Sequence, residues 1–237
     1  MPNFRVNIAV DGRSMDTFVA QPNGAGPHPG VIVIMHAPGL DDFVEEMTRR
    51  LANEGFMAIA PQLYHRQDLA SDETGLERMS QLTDAEVISD INACVSHLQS
   101  RDDVAASLGI MGFCMGGRIT FLMAAANAAF KAAVPFYGGN TESAWGEGPS
   151  VLDRLGDVSC PLLAFFGGQD NNPSPEMMQR LDADLTRLGK NHEFREYPEA
   201  GHGYMNFNNP ERYNKAASEE SWPLAISFLI KHLKVRV

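Results

Sequence analysis

The sequence predicts a doubly wound α/β fold: a mostly parallel central sheet with helices on both faces. Three observations carry this prediction. Short runs such as Gly30 to His36 (GVIVIMH) are continuously apolar and β-branched, as in strands covered on both sides. These runs alternate with helical stretches of ten or more residues, the pattern of βαβ units. The 237 residues contain no repeat, low-complexity tract or long linker, so one domain over 1–237 is expected.

The elements follow in order. Residues 4–10 and 14–20 alternate loosely around Asp11-Gly12, a hairpin turn signal. After the 30–36 strand, Asp41 or Asp42 caps a helix whose inner side carries Val44, Met47 and Leu51, and Gly55 ends it. Phe56 to Ala60 is the next strand. Residues 66–82 are polar and irregular, and could form a wall or lid beside a site. Thr83-x-x-Glu86 is a capping box, and Val87, Ile91, Cys94, Val95 and Leu98 form one helical stripe behind it. Ser107 to Gly112, Phe130 to Tyr137, Leu162 to Phe166 and Glu193 to Tyr197 supply further strands. Helices are expected from Met115 to Asn127, from Ser174-Pro175 to Gly189 with Met178, Leu181, Leu185 and Leu188 inward, and from Pro210 to Leu233 with a break at Pro223.

Composition excludes several function classes. Nineteen Lys+Arg against thirty Asp+Glu leave a net charge of −11, which repels nucleic acid and anionic membranes. No apolar run approaches the length of a bilayer span, and the N-terminus carries no signal-peptide pattern. Three cysteines, with no CxxC pair, suit free thiols in a reducing compartment. A cytoplasmic monomer or homodimer acting on a small molecule is the expectation, with no metal and no cofactor.

The chemistry concentrates in Ser107 to Gly117 (SLGIMGFCMGG), where Gly112-x-Cys114-x-Gly116 falls between a strand and a helix. A nucleophile on such a sharp elbow has strained backbone angles, and small residues two positions either side relieve the crowding. The elbow also sets the sulfur at a helix N-terminus, where unpaired N–H groups favour the thiolate. Cys94 sits on a helix stripe and Cys160 precedes Pro161 at a strand start; both are assigned to the core. A cysteine nucleophile needs a base, and the base an orienting carboxylate. On a strand–elbow–helix scaffold these follow in the order nucleophile, acid, histidine. Asp170 ends the apolar run 165–170 (FFGGQD), and His202 lies between Gly201 and Gly203 after the last strand. Taken singly, Asp170 could be turn chemistry and His202 a loop histidine. Together they satisfy the order. The glycines of 112–117 are no phosphate cradle, because the P-loop lysine and the G-x-G-x-x-G spacing are absent.

The chain resembles the dienelactone hydrolase (carboxymethylenebutenolidase) family of cysteine α/β-hydrolases. The resemblance runs in order through GVIVIMHAPGL, APQLY, GFCMGG, VPFYGG, CPLLAFFGGQD and YPEAGHGYMNF, nearly the whole chain. It implies an α/β-hydrolase fold and cofactor-free hydrolysis of an ester or lactone. Cys114 would be the nucleophile, His202 the base and Asp170 its partner, with backbone N–H groups of Ala37 and Met115 as oxyanion hole.

Two departures from the family stand out. Its glutamate beside the resting thiol is replaced by His36, which either favours the Cys114 thiolate, binds a leaving group or only packs beneath the elbow loop. Of its two arginines that grip a substrate carboxylate, Asn206 replaces one and Arg78 loosely matches the other. A neutral, fairly apolar ester or lactone is therefore expected over dienelactone itself. Tyr64, Phe113, Tyr137, Tyr204 and Phe207 would be aromatic walls or core. Attack on activated phosphotriesters, a non-catalytic small-molecule binder and an oxidation sensor at Cys114 are the rival readings.

Overall fold

The Asp11-Gly12 signal closes a hairpin. Asn3–Val10 (β1) and Arg13–Ala20 (β2) pair antiparallel, and both turn residues have positive φ, 49° and 73°. These and the following elements come from a computed structural model that describes residues 2–233. The apolar run 30–36 lies mostly in His28–Ile34 (β3), buried from Pro29 onward. Asp41 caps Asp42–Asn53 (α1) by accepting a hydrogen bond from Val44 N at 3.1 Å, and Val44, Met47 and Leu51 are buried as their spacing requires. Met57–Pro61 (β4) is fully buried.

Residues 66–82 are more regular than expected. Gly75–Ser80 (α2) is a short helix with a complete capping box, Thr74 and Glu77 satisfying each other's backbone N–H groups. The signal Thr74-x-x-Glu77 is as readable as Thr83-x-x-Glu86, but no apolar stripe follows it to draw attention. Thr83 caps Asp84–Gln99 (α3) as predicted, accepting from Glu86 N, but the box is not completed, because the Glu86 carboxylate accepts from the Thr83 hydroxyl and not from its N–H. The helix buries Val87, Ile91, Cys94, Val95 and Leu98.

Val104–Phe113 (β5), Met115–Ala126 (α4), Phe130–Phe136 (β6), Leu162–Gly167 (β7), Pro175–Arg187 (α5), His192–Tyr197 (β8) and Lys215–Leu233 (α6) complete the chain, with a 3₁₀ turn at Leu152–Asp157. Leu188 caps α5 and is 37% exposed, so it does not join Met178, Leu181 and Leu185 on the buried face. Helix α6 begins at Lys215, not Pro210, and passes through Pro223 without a break. Pro223 and Glu219, whose carbonyl loses its N–H partner, both face solvent, so water can take the freed acceptor.

The eight strands form one sheet in the order β1-β2-β4-β3-β5-β6-β7-β8; pairings from β4 to β8 are parallel and the two outer ones antiparallel. On β5, successive residues show the two covered faces. A Cβ at Gly109 would meet Leu229 and Leu233 of α6, whereas Leu108 and its neighbour Gly30 lie beneath Leu98 of α3. The sheet's carboxyl edge thereby collects the ends of β3, β5, β6 and β7, and the functional candidates stand there.

Candidate active site

Cys114 links β5 to α4 with φ 56° and ψ −114°, a conformation costly for any side chain. Its N–H donates to Phe136 O at 3.0 Å, which ties the elbow to β6. The flanking glycines are required by contact. A Cβ at Gly112 would sit 2.1 Å from Gly116 O, and one at Gly116 would sit 2.3 Å from Ile34 O.

The loop after β8 brings His202 over the elbow. Its Nδ1 lies 2.8 Å from Asp170 Oδ2, which leaves Nε2 free for Cys114, whose sulfur helps to raise the imidazole. Asp170 is buried just beyond β7, and its other oxygen accepts from Asn172 N at 2.9 Å. The backbone N–H groups of Met115 and Ala37 also favour the thiolate.

These contacts set the protonation states. Burial pushes the Cys114 thiol up, but the His202 hydrogen bond and charge, with the two backbone donors, bring it below its ordinary value. Burial pulls His202 down, yet Asp170 and Cys114 together raise it to about 10. Each group thus favours the charged form of the other. Cys94 and Cys160 are buried without such partners, and burial pushes both thiols up, Cys160 to about 12.

A cavity of about 910 Å³ opens over Cys114 and His202. Of the residues singled out from sequence, His36, Ala37, Met115, Tyr137, Asp170 and Asn206 line it. The His36 ring lies 2.8 Å from Asp41 through Nε2 and packs against Phe43. Tyr137 meets His202 edge-on at 5.2 Å.

Tyr64, Phe113, Tyr204 and Phe207 do not line the cavity. Phe113 is sealed between Phe43 and Phe136, and Phe207 packs on Phe43. Tyr204 is enclosed by Tyr137 and Tyr197. Tyr64 stands one layer behind the cavity wall at Ala37 and Met115, its hydroxyl 2.8 Å from Ala37 O, 3.2 Å from Gly75 O and 3.5 Å from Met115 Sδ. Arg78 is likewise off the cavity wall. Its buried guanidinium donates to Asp68 O, Ser71 O and Ser71 Oγ at 2.9–3.0 Å, so it clasps the 68–71 loop. The loose alignment of this segment pointed to an arginine whose donors are spent internally.

Sequence reasoning missed Arg118 and Trp145. Arg118 is buried, paired with Asp84 at 2.6 Å, bonded to Asn140 O and Ser143 O, and stacked 4.0 Å from the Trp145 ring. It fastens the loop after β6, with Trp145, to the cavity rim. The signal was available, since Arg118 sits one turn after Cys114. Arg212, also unforeseen, lines the opposite wall. Among the described residues no three His, Cys, Asp or Glu side chains are grouped to hold a metal ion, and no helix is long and apolar enough to cross a membrane.

A profile of the dienelactone hydrolase family matches residues 15–233. The chain belongs to that family. Candidate carboxymethylenebutenolidases of Methylorubrum extorquens and Escherichia coli K12 are 33% and 34% identical to it, over 92% and 91% of this chain and 77% and 82% of theirs. The crystal structure of a candidate dienelactone hydrolase from Klebsiella pneumoniae superposes with a TM-score of 0.90 at 30% identity, covering 97% of this chain and 98% of that one. A metagenomic protein named a dienelactone hydrolase-like promiscuous phosphotriesterase shares the fold, at TM-score 0.84 and 21% identity over 98% of both chains. The sheet and helices of this dienelactone hydrolase family member are those of the α/β-hydrolase fold, and the chain is a hydrolase of the ester and lactone class.

Proposed function

We propose that the protein hydrolyses neutral carboxylic esters or lactones through Cys114, His202 and Asp170. The observation that carries this is the Asp170–His202 hydrogen bond beside Cys114 on a strained elbow, where His202 and two backbone N–H groups favour the thiolate. In the proposed cycle, Cys114 Sγ attacks the substrate carbonyl carbon and the C–S bond forms. The carbonyl electron pair moves to oxygen, which the N–H groups of Ala37 and Met115 stabilise. As the oxyanion collapses, the C–O bond to the leaving group breaks and His202 Nε2 gives that oxygen its proton. A thioester remains. His202, now neutral, takes a proton from water attacking the thioester, and collapse of the second oxyanion returns the thiolate and the acid product. Asp170 holds the imidazole orientation and offsets its positive charge throughout.

Neutral substrates are favoured because Asn206 stands on the cavity wall, Arg78 is spent on the 68–71 loop, and Glu199 and Glu211 share the rim with Arg212. The test is hydrolysis of p-nitrophenyl esters and lactones by the wild type and by Cys114→Ala. Activity that vanishes in a folded Cys114→Ala protein, with a thioester adduct trapped on Cys114 by mass spectrometry, supports the reading. Equal activity in both proteins overturns it. Activated phosphotriesters belong in the same panel, since the metagenomic relative named for that activity shares the fold.

A further inference from the structure

The cavity has two chemically different walls, and the direction of proton transfer decides which part of a substrate meets each. In the proposed tetrahedral intermediate the oxyanion must face Ala37 and Met115, and the leaving oxygen must face His202 Nε2. The leaving group therefore extends over the segments that surround His202. Those segments contribute Gln169, Asn171 and Asn172, and Glu199, Asn206, Asn209, Glu211 and Arg212, to the wall. None is aliphatic. Asn206 and Asn209 are half-buried, and neither amide nitrogen has a protein acceptor among the described residues. The acyl group takes the remaining side, where Pro38, Leu76, Met79 and Trp145 line the cavity. Leu76 is 66% exposed although it lies at the cavity mouth, and Trp145 is held there by Arg118. An exposed leucine beside an anchored indole forms an apolar shelf that a bound acyl chain would cover.

We infer that the substrates are esters joining an apolar acyl group to a neutral, hydroxyl-rich alcohol such as a sugar or polyol. Amide groups and carboxylates with free donors and acceptors suit several hydroxyls at once, each able to donate and accept. Two carboxylates against one guanidinium on this wall, on a chain of net charge −11, disfavour an alcohol carrying phosphate or carboxylate. This inference rests on the hydrolytic reading of the same site.

The experiment holds the acyl group fixed. Hydrolysis of p-nitrophenyl butanoate first establishes that the enzyme is active. Then kcat/KM is compared for hexyl butanoate and glucose 6-butanoate, in the wild type and in Asn209→Leu, whose side chain makes no protein hydrogen bond among the described residues and whose fold is checked by thermal unfolding. The glucose ester is expected to be favoured by about tenfold or more, the equivalent of one or two net hydrogen bonds, and the ratio to fall several-fold in Asn209→Leu. A hexyl ester hydrolysed as well as or better than the glucose ester, with p-nitrophenyl butanoate turned over, overturns this inference and leaves the esterase reading standing. A glucose preference unchanged in Asn209→Leu and in Asn206→Leu also overturns it, because the wall would not be the source. No turnover of any ester overturns both readings.

Discussion

The thiolate–imidazolium pair can be tested directly by replacing His202 with Gln and titrating the thiol. Cys114 is held below the ordinary thiol range against the opposing effect of burial, and His202 is the largest of the favourable influences. Without it the sulfur keeps only the Met115 and Ala37 donors in a buried site, so its pKa should return to about 8.5 or higher. At pH 7 a thiol of that pKa is about 3% ionised, so His202→Gln should carry much less thiolate than the wild type at the same pH. The assay is the ultraviolet thiolate absorbance, read as the difference between each protein and its Cys114→Ser counterpart. Cys94 and Cys160 do not contaminate it below pH 10, because burial holds both protonated. In the wild type the signal should appear at a lower pH than in His202→Gln. The sign for catalysis follows. His202 is raised to about 10, so kcat/KM should rise as the thiol ionises, at a pH below the ordinary thiol range, and fall as pH passes through about 10, where the imidazolium loses its proton. Superimposable titrations of wild type and His202→Gln would refute the ion pair.

Other consequences are equally specific. Asp170→Asn removes the charge 2.8 Å from His202 Nδ1 and should lower kcat by about 10³-fold or more with a stable fold, measured on a p-nitrophenyl ester. Gly116→Ala places a Cβ 2.3 Å from Ile34 O, where only backbone can yield, and should cost about 3 kcal/mol or more in denaturant unfolding. Arg118→Met leaves buried Asp84 uncompensated and should destabilise by about 3–5 kcal/mol in the same measurement. Tyr64→Phe frees Ala37 O behind the oxyanion donors and should lower kcat about tenfold with KM nearly unchanged, since buried acceptors left unpaired cost about 1–3 kcal/mol.

Legibility in the sequence followed how local the cause was. The elbow was readable because its steric demand is met by residues within two positions of Cys114, and the partners because chain order is fixed by the order of strands. The parallel core was readable because β3, β5, β6 and β7 are buried on both faces and so carry unbroken apolar runs. Residue roles set by distant contacts were not. Tyr64 and Phe113 look like cavity walls from composition, yet one is a clamp behind Ala37 and the other lies between aromatic rings. Arg78 carries a charge that could meet a substrate, and only the fold shows three loop acceptors already around it. Pro223 breaks a helix by rule, and the exposure that excuses it belongs to the tertiary structure.

His36 shows how a departure from the family pattern can change role while keeping place. It stands next to Ala37 and lines the cavity, but it is not among the groups that lower the Cys114 thiol; those are His202 and the two backbone donors. Its Nε2 is engaged 2.8 Å from Asp41, and the same carboxylate caps α1 through Val44 N. The ring therefore ties the loop carrying the Ala37 N–H to the start of a buried helix, and Gly39 N, bonded to His36 O at 2.9 Å, closes the turn between them. On this geometry His36 is a positioning residue for the oxyanion donor, not a base for the thiol. His36→Leu keeps the packing against Phe43 and loses the tether, so the Ala37 N–H should be less well placed for the developing oxyanion. The expected result is a kcat about tenfold lower, or about 1.4 kcal/mol in the barrier, with KM little changed. The thiolate titration should shift far less than in His202→Gln, because His202, the largest of the favourable influences on the thiol, has not moved. A Cys114 titration displaced upward as far as in His202→Gln would instead make His36 part of thiol activation, in the manner of the glutamate it replaces.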